Sequence, residues 1–119
     1  MAVHNDTGKK GEEIAAEYFL SKGYEILHRN WRHKHLEVDI VANRNGILHF
    51  IEVKTRTSLA FGFPEENVTA TKMNRLINAS AEFLYQYPQW QRIQFDVLSI
   101  NINSRSNETA FLLIEDVYL

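Results

Sequence analysis

The stretch HLEVDIVANRNGILHFIEVKTR, residues 35–56, constrains this chain more than any other part of it. Asn45-Gly46 between alternating apolar residues is the strongest short-range signal for a tight β-hairpin. With these two as the loop, Arg44 faces Ile47, Asp39 faces Glu52 and Glu37 faces Lys54. Directly opposed residues share one face of a sheet, with Cβ atoms roughly 4.5–5.5 Å apart. Two carboxylates that close repel unless a shared proton or a divalent cation neutralises them. Lys54 follows Glu52 by two, so the pleat puts it on the same face. The hairpin therefore predicts an acidic pair able to hold a metal, with an ammonium group beside it. Register decides this. A four-residue loop slides the strands by two and keeps both acids on one face, whereas a three-residue loop sets Asp39 against Ile51 and dissolves the pair.

At 119 residues one domain is expected over 1–119, with residues 1–6 a loose lead-in. A 45% hydrophobic content suffices for a core. Without cysteine there are neither disulfides nor thiolate metal sites. MAVHNDTGKKGEE lacks the apolar run of a signal peptide, and no stretch approaches the ~18 apolar residues of a membrane span. A soluble cytoplasmic protein is the expectation. Thirteen basic against 15 acidic residues, net charge −2, weigh against gripping nucleic acid by bulk charge, though not against a local basic surface.

Asp6 or Thr7 is suited to cap a helix running to about Lys22, with Gly23 as its stop. Lys9, Lys10, Glu13 and Glu17 form its solvent face, with Lys9 and Glu13 spaced to pair. Gly8, Glu12, Ala15, Ala16 and Phe19 form the other face. Glu12 thus sits among small inward residues, where an acid needs a partner, and close helix–sheet approach would let it reach the acidic pair. The alternative is a first-turn acid favoured by the helix dipole. Residues 24–31 fit a first strand, and the basic run at 32–35 is a solvated turn or a phosphate contact.

Both faces of the central hairpin are apolar near its turn, the pattern of a sheet covered on both sides, while the charges gather at the far end. Residues 57–66 read as a loop broken by Gly62 and Pro64. A second helix is predicted from about Thr69 to Tyr85, with a buried stripe of Met73, Leu76, Ile77, Ser80, Phe83 and Leu84. With Thr69 as cap, Lys72 lies in the first turn, where it is either a tolerated solvated lysine or part of an anion site. Residues 91–102 and 110–119 close the chain as two strands. The order α-β-β-β-α-β-β implies an α/β fold, a mixed five-stranded sheet flanked by helices.

An acid on one strand and Glu52-Val53-Lys54 on the next resemble the PD-(D/E)xK nuclease pattern, with Val38 in place of proline before Asp39. The likeness extends through Gly11-Glu12, Ala15-Ala16, Gly23-Tyr24, Arg29-Asn30-Trp31, residues 37–42, residues 50–56, Phe61-Gly62 with Pro64, Val68 with Lys72, and Phe95-Asp96-Val97. Together these resemble the YraN-like family of uncharacterised, predicted endonucleases. Leu36 stands where that family usually has glycine, enlarging the residue at the cleft mouth, and Gln94 where it usually has arginine. The resemblance implies a restriction-endonuclease-like fold shared with Holliday-junction resolvases. It implies Glu12, Asp39 and Glu52 as metal-site acids and Lys54 as the catalytic lysine.

The expected activity is Mg²⁺- or Mn²⁺-dependent hydrolysis of DNA phosphodiesters, branched or junction DNA among the substrates. Asp39, Glu52 and the Val53 carbonyl would bind the ion, and Lys54 would position water or offset transition-state charge. Glu37 would either complete the metal site or hold Lys54 by a cross-strand ion pair. Lys72, Arg56, Arg75 and Arg32 are the candidate phosphate contacts. Two other readings stand beside this one: a nucleic-acid-binding module of the same fold without cleavage, and an interaction protein whose acids merely pair with Lys54 and Arg56. Zinc at His33, His35, Glu37 and Asp39 is disfavoured, because ligands along one strand do not converge. His49 falls on the opposite face, where a structural role is expected. The apolar last strand, and relatives of this fold, favour a homodimer.

Overall fold

The computed structural model describes residues 3–58 and 70–117. Their elements are α1 (Val3–Ser21), β1 (Glu25–His33), β2 (Leu36–Arg44), β3 (Ile47–Ser58), α2 (Ala70–Gln86), β4 (Ile93–Asn103) and β5 (Thr109–Ile114). The strands lie side by side in chain order in one sheet. Every neighbouring pair is antiparallel except β3 and β4, which are parallel and joined through α2. Ala15 and Phe19 of α1 pack with Ile40, Ala42, Ile51, Leu98, Ile100 and Ile102. Leu76, Ala79 and Phe83 of α2 pack with Val38, Val41, Leu48 and Phe50. Neighbouring strand residues such as Phe50 and Ile51 point to opposite faces, so the helices cover opposite faces and the apolar part of the hairpin below its exposed tip is buried on both.

Local signals set most of these boundaries. Gly23 has φ +87°. The Tyr24 N–H bonds to the Phe19 carbonyl (3.0 Å) and the Gly23 N–H to that of Leu20 (3.2 Å). This is a Schellman stop, and the Phe19 and Tyr24 rings in contact at 4.9 Å supply its apolar clasp. Asn45 and Gly46 have φ +54° and +80°, the type I′ pattern. The Asn43 side-chain oxygen accepts the Gly46 N–H (3.1 Å). The register follows the two-residue loop, from Arg44↔Ile47 to Ile40↔Ile51.

Several expectations are corrected. Helix α1 already begins at Val3, because Asn, Asp and Thr cost a helix interior only about half a kcal/mol each. Glu13 pairs with Arg29 (2.9 Å), a partner brought by β1. Strand β3 extends to Ser58, two residues into the expected loop, because β4 pairs with it that far. The rest of that loop, Gly62, Pro64 and the Thr69 cap lie outside the described residues. In α2 Ile77 is exposed and Ala79 is buried. Ile77 sits about 100° around the helix from the stripe of Met73, Leu76, Ala79, Ser80 and Phe83, so it flanks the contact. Strand β5 stops at Ile114. Beyond it Asp116 turns left-handed (φ +56°) and the Val117 N–H bonds to the Phe95 carbonyl (2.7 Å).

The feature that makes a site is a fork in the sheet. Beyond Ile40↔Ile51 the β2–β3 ladder ends. From there β2 continues against β1 through Val38, Glu37 and Leu36. Strand β3 continues against β4, from Glu52↔Val97 to Ser58↔Asn103. The two halves part, and the gap opens at Asp39 and Glu52.

Candidate active site

Asp39 stands at the fork. The N–H of Val53 has lost its ladder partner, and the Asp39 carboxylate accepts it instead (2.7 Å). Buried backbone donors are almost always satisfied, and here a side chain does it. The acids therefore do not meet as a directly opposed pair of ladder residues. Asp39 reaches into the plane between the strands, and it lines the same cleft as Glu52. That cleft, of about 270 Å³, lies between the open end of β2–β3 and the N-terminal half of α2. Asp39, Glu52 and Glu37 supply its acids, and Lys72 and Arg75 face them from α2. Leu36 and His35 belong to its rim, Leu36 as its replacement of glycine predicted.

Burial pushes the Asp39 carboxyl up to about 6. The Val53 N–H opposes the shift, and the charges of Glu37, Glu52 and Glu12 reinforce it. Glu12 acts from the opposite helix. Gly11 makes that reach feasible: a Cβ there would lie 2.8 Å from Cβ and Cγ2 of Thr55 on β3, so only glycine lets α1 come this close. The buried-face acid expected to need a partner has one, since the Asn30 side-chain amide donates to Glu12 (3.3 Å).

The ion pairs differ from the register expectation. Lys54 Nζ lies 3.6 Å from Glu52, and Arg32 lies 3.6 Å from Glu37. With the β2–β3 ladder ended, Glu37 and Lys54 are not rungs of it, and each has a partner of opposite charge on its own half of the fork. Arg56 is exposed on β3, in register with Asn101 and away from the cleft lining. The Val53 side chain packs into the α1-side core, so only its backbone is available to the cleft. His33 pairs with Glu82 (3.2 Å) and His35 is exposed at the rim, so the zinc set does not converge. His49 is buried on the α1 side against Asp96 (2.6 Å).

Among the described residues, no three His, Asp or Glu side chains stand close enough to cage an ion. Mg²⁺ needs no such cage, since it keeps several waters and takes one or two carboxylates. The carboxylate oxygens of Asp39, Glu52 and Glu37 are a donor set that suits a hard cation. Asn30 and Gly11 were visible in the sequence without a role. Their signals were an Asn inside a strand and a Gly inside a helix, each disfavoured there unless geometry demands it.

No helix among the described residues is long and apolar enough to cross a membrane. The sequence model described as "Uncharacterised protein family UPF0102" matches residues 11–100. A UPF0102 protein of Flavobacterium johnsoniae is 42% identical over 110 residues, 89% of each chain. One of Phocaeicola vulgatus is 44% identical over 100 residues, covering 84% of this chain and 83% of the relative. One of Rhodococcus opacus is 42% identical over 103 residues, covering 86% and 87%.

Proposed function

The chain belongs to the uncharacterised protein family UPF0102, and from its forked acidic cleft we propose that it is a Mg²⁺- or Mn²⁺-dependent endonuclease acting on DNA, branched or junction DNA included. The observation that carries this is Asp39: a half-buried carboxyl at the fork, accepting the Val53 N–H and raised to about 6, with acids around it and cations across a cleft. Asp39 and Glu52 would hold the ion, with the Val53 carbonyl as a further oxygen. Bound there, the ion would supply an activated water and neutralise charge on the scissile phosphate. Glu12 and Glu37 add negative potential that draws the cation in. Lys54, beside Glu52, would orient the attacking water or offset charge as the phosphate becomes pentavalent. Lys72 and Arg75 lie where a flanking phosphate would sit, and Arg56 and Arg32 would extend the track from the exposed surface. A homodimer through edge strand β5, whose Phe111 and Leu112 stay exposed, belongs to the same proposal and is read by sedimentation.

The test is cleavage of branched, single-stranded and duplex DNA with Mg²⁺ or Mn²⁺. Asp39→Ala and Glu52→Ala should each lower the rate by about 10²-fold or more, the scale of losing a principal electrostatic contribution. Unchanged rates in both variants would assign the cleavage to a contaminant or another site. Lys72 and Arg75 beside the cleft also support a second reading, in which the cleft binds nucleic acid without cutting it. Salt-dependent binding of branched DNA with no cleavage under either ion would select that reading.

A further inference from the structure

Two strands turn over between the same two rungs. On β1, Arg29 reaches Glu13 of α1 (2.9 Å), yet Trp31 packs into the α2-side core. On β2, Ile40 packs into the α1-side core, yet Val38 packs into the α2-side core. Residues two apart on a regular strand share a face, so each strand has slipped by half a pleat. The rungs are Arg29↔Ile40 and Trp31↔Val38, and the residues between them are Asn30 and Asp39. Asn30 is left-handed, with φ +53° in the interior of β1. One left-handed residue reverses a strand's alternation, and Asn tolerates that conformation better than most residues. The slip frees Asp39 from either face, which is what lets its carboxylate enter the β2–β3 gap and take the Val53 N–H. The Asn30 amide meanwhile donates to Glu12 (3.3 Å), one of the acids acting on Asp39.

We propose that Asn30 is the positioning residue of this site: its left-handed backbone produces the paired slip that turns Asp39 into the fork, and its amide holds Glu12 beside the acidic cluster. The metal-binding consequence rests on the ion-site reading above, and the backbone and amide consequences do not. Glycine would keep the backbone and lose the amide, and alanine would lose both.

Three measurements test this on the full chain: thermal melting, Mn²⁺ affinity by electron paramagnetic resonance, and the Asn30 side-chain amide resonances. Asn30→Gly should melt within about 2 °C of the parent, and Asn30→Ala about 5 °C below it. Both should bind Mn²⁺ about tenfold more weakly, as loss of an outer-shell partner does. In Glu12→Gln the Asn30 amide resonances should move. Asn30→Ala melting with the parent would overturn the backbone role. Parental Mn²⁺ affinity in Asn30→Gly, or unmoved amide resonances in Glu12→Gln, would overturn the amide role. A parent protein that binds no Mn²⁺ counts against the ion site instead, and melting and resonances then decide on Asn30.

Discussion

Two aspartates of this sheet, Asp96 fully buried and Asp39 half-buried, have surroundings that could hardly differ more. Asp96 on β4 is fully buried, and all its capacity is spent. One oxygen faces His49 Nδ1 (2.6 Å), and the other accepts from the Gln94 amide and the Asp116 N–H (both 2.9 Å). The acid ties β3, β4 and the segment after β5 together. Asp39 accepts one backbone N–H, has its pKa raised by burial first and then by the charges of Glu37, Glu52 and Glu12, and shares its cleft with Lys72 and Arg75. Burial alone thus does not mark a candidate site acid. What separates the two is their neighbours: Asp96 is met by hydrogen-bond partners, whereas Asp39 has other acids close by.

The sharpest way to break this contrast is to remove each acid in turn. Asp96→Ala leaves His49, Gln94 and a backbone N–H without their acceptor, and should cost about 3–5 kcal/mol in urea unfolding. Equal loss in Asp39→Ala would erase the distinction.

Asp39→Asn should do the opposite. With a folded value of about 6 against an ordinary value of 3.8, Asp39 stays protonated in the fold where the unfolded chain has ionised. Its contribution to stability is fully present below about pH 4 and lost as pH rises through 6. In chelator, Asn should therefore stabilise by up to about 3 kcal/mol at pH 8 and by nothing below pH 4, measured as unfolding free energy against pH. A stabilisation independent of pH would show that the acid charge is not strained.

Cation binding should recover part of that loss. At a hundredfold excess over Kd, Mn²⁺ should raise the unfolding free energy of the parent by about 2.7 kcal/mol at pH 8. The gain should shrink at pH 5, where protons compete for Asp39, and chelator should abolish it. The smallest effect concerns the approach of α1. Gly11→Ala gains about 1 kcal/mol of helix propensity and meets Thr55, an overpacking cost of about 1–3 kcal/mol. A net loss of about 1 kcal/mol, with weaker Mn²⁺ binding as Glu12 is pushed away, is expected. A net gain would mean that α1 is not held against β3.

Family departures fit the contrast. Gln94, one of the two departures expected from the resemblance, donates a neutral amide to Asp96. Leu36, the other such departure, lines the acidic cleft. One change falls in each environment, and neither removes a predicted ligand.

What could be read from residues alone was whatever neighbours in the chain decide. Asn45-Gly46 sets a type I′ turn and with it the register of β2 and β3. Gly23 ends α1, and apolar periodicity marks the faces of α2 and β4. These are short-range energies, which a pattern of spacing records directly. Extending the hairpin register one rung further correctly brought Asp39 and Glu52 to one cleft, and wrongly made them ladder partners. The fork, the Arg29–Glu13 and Arg32–Glu37 pairs, the Gly11–Thr55 contact and the paired slip at Asn30 and Asp39 all join segments far apart in sequence or on different strands. Nothing in the local pattern fixes where β2 leaves β3 for β1. Competition among three strands for the same backbone hydrogen bonds settles that, and it is resolved only when the sheet has formed.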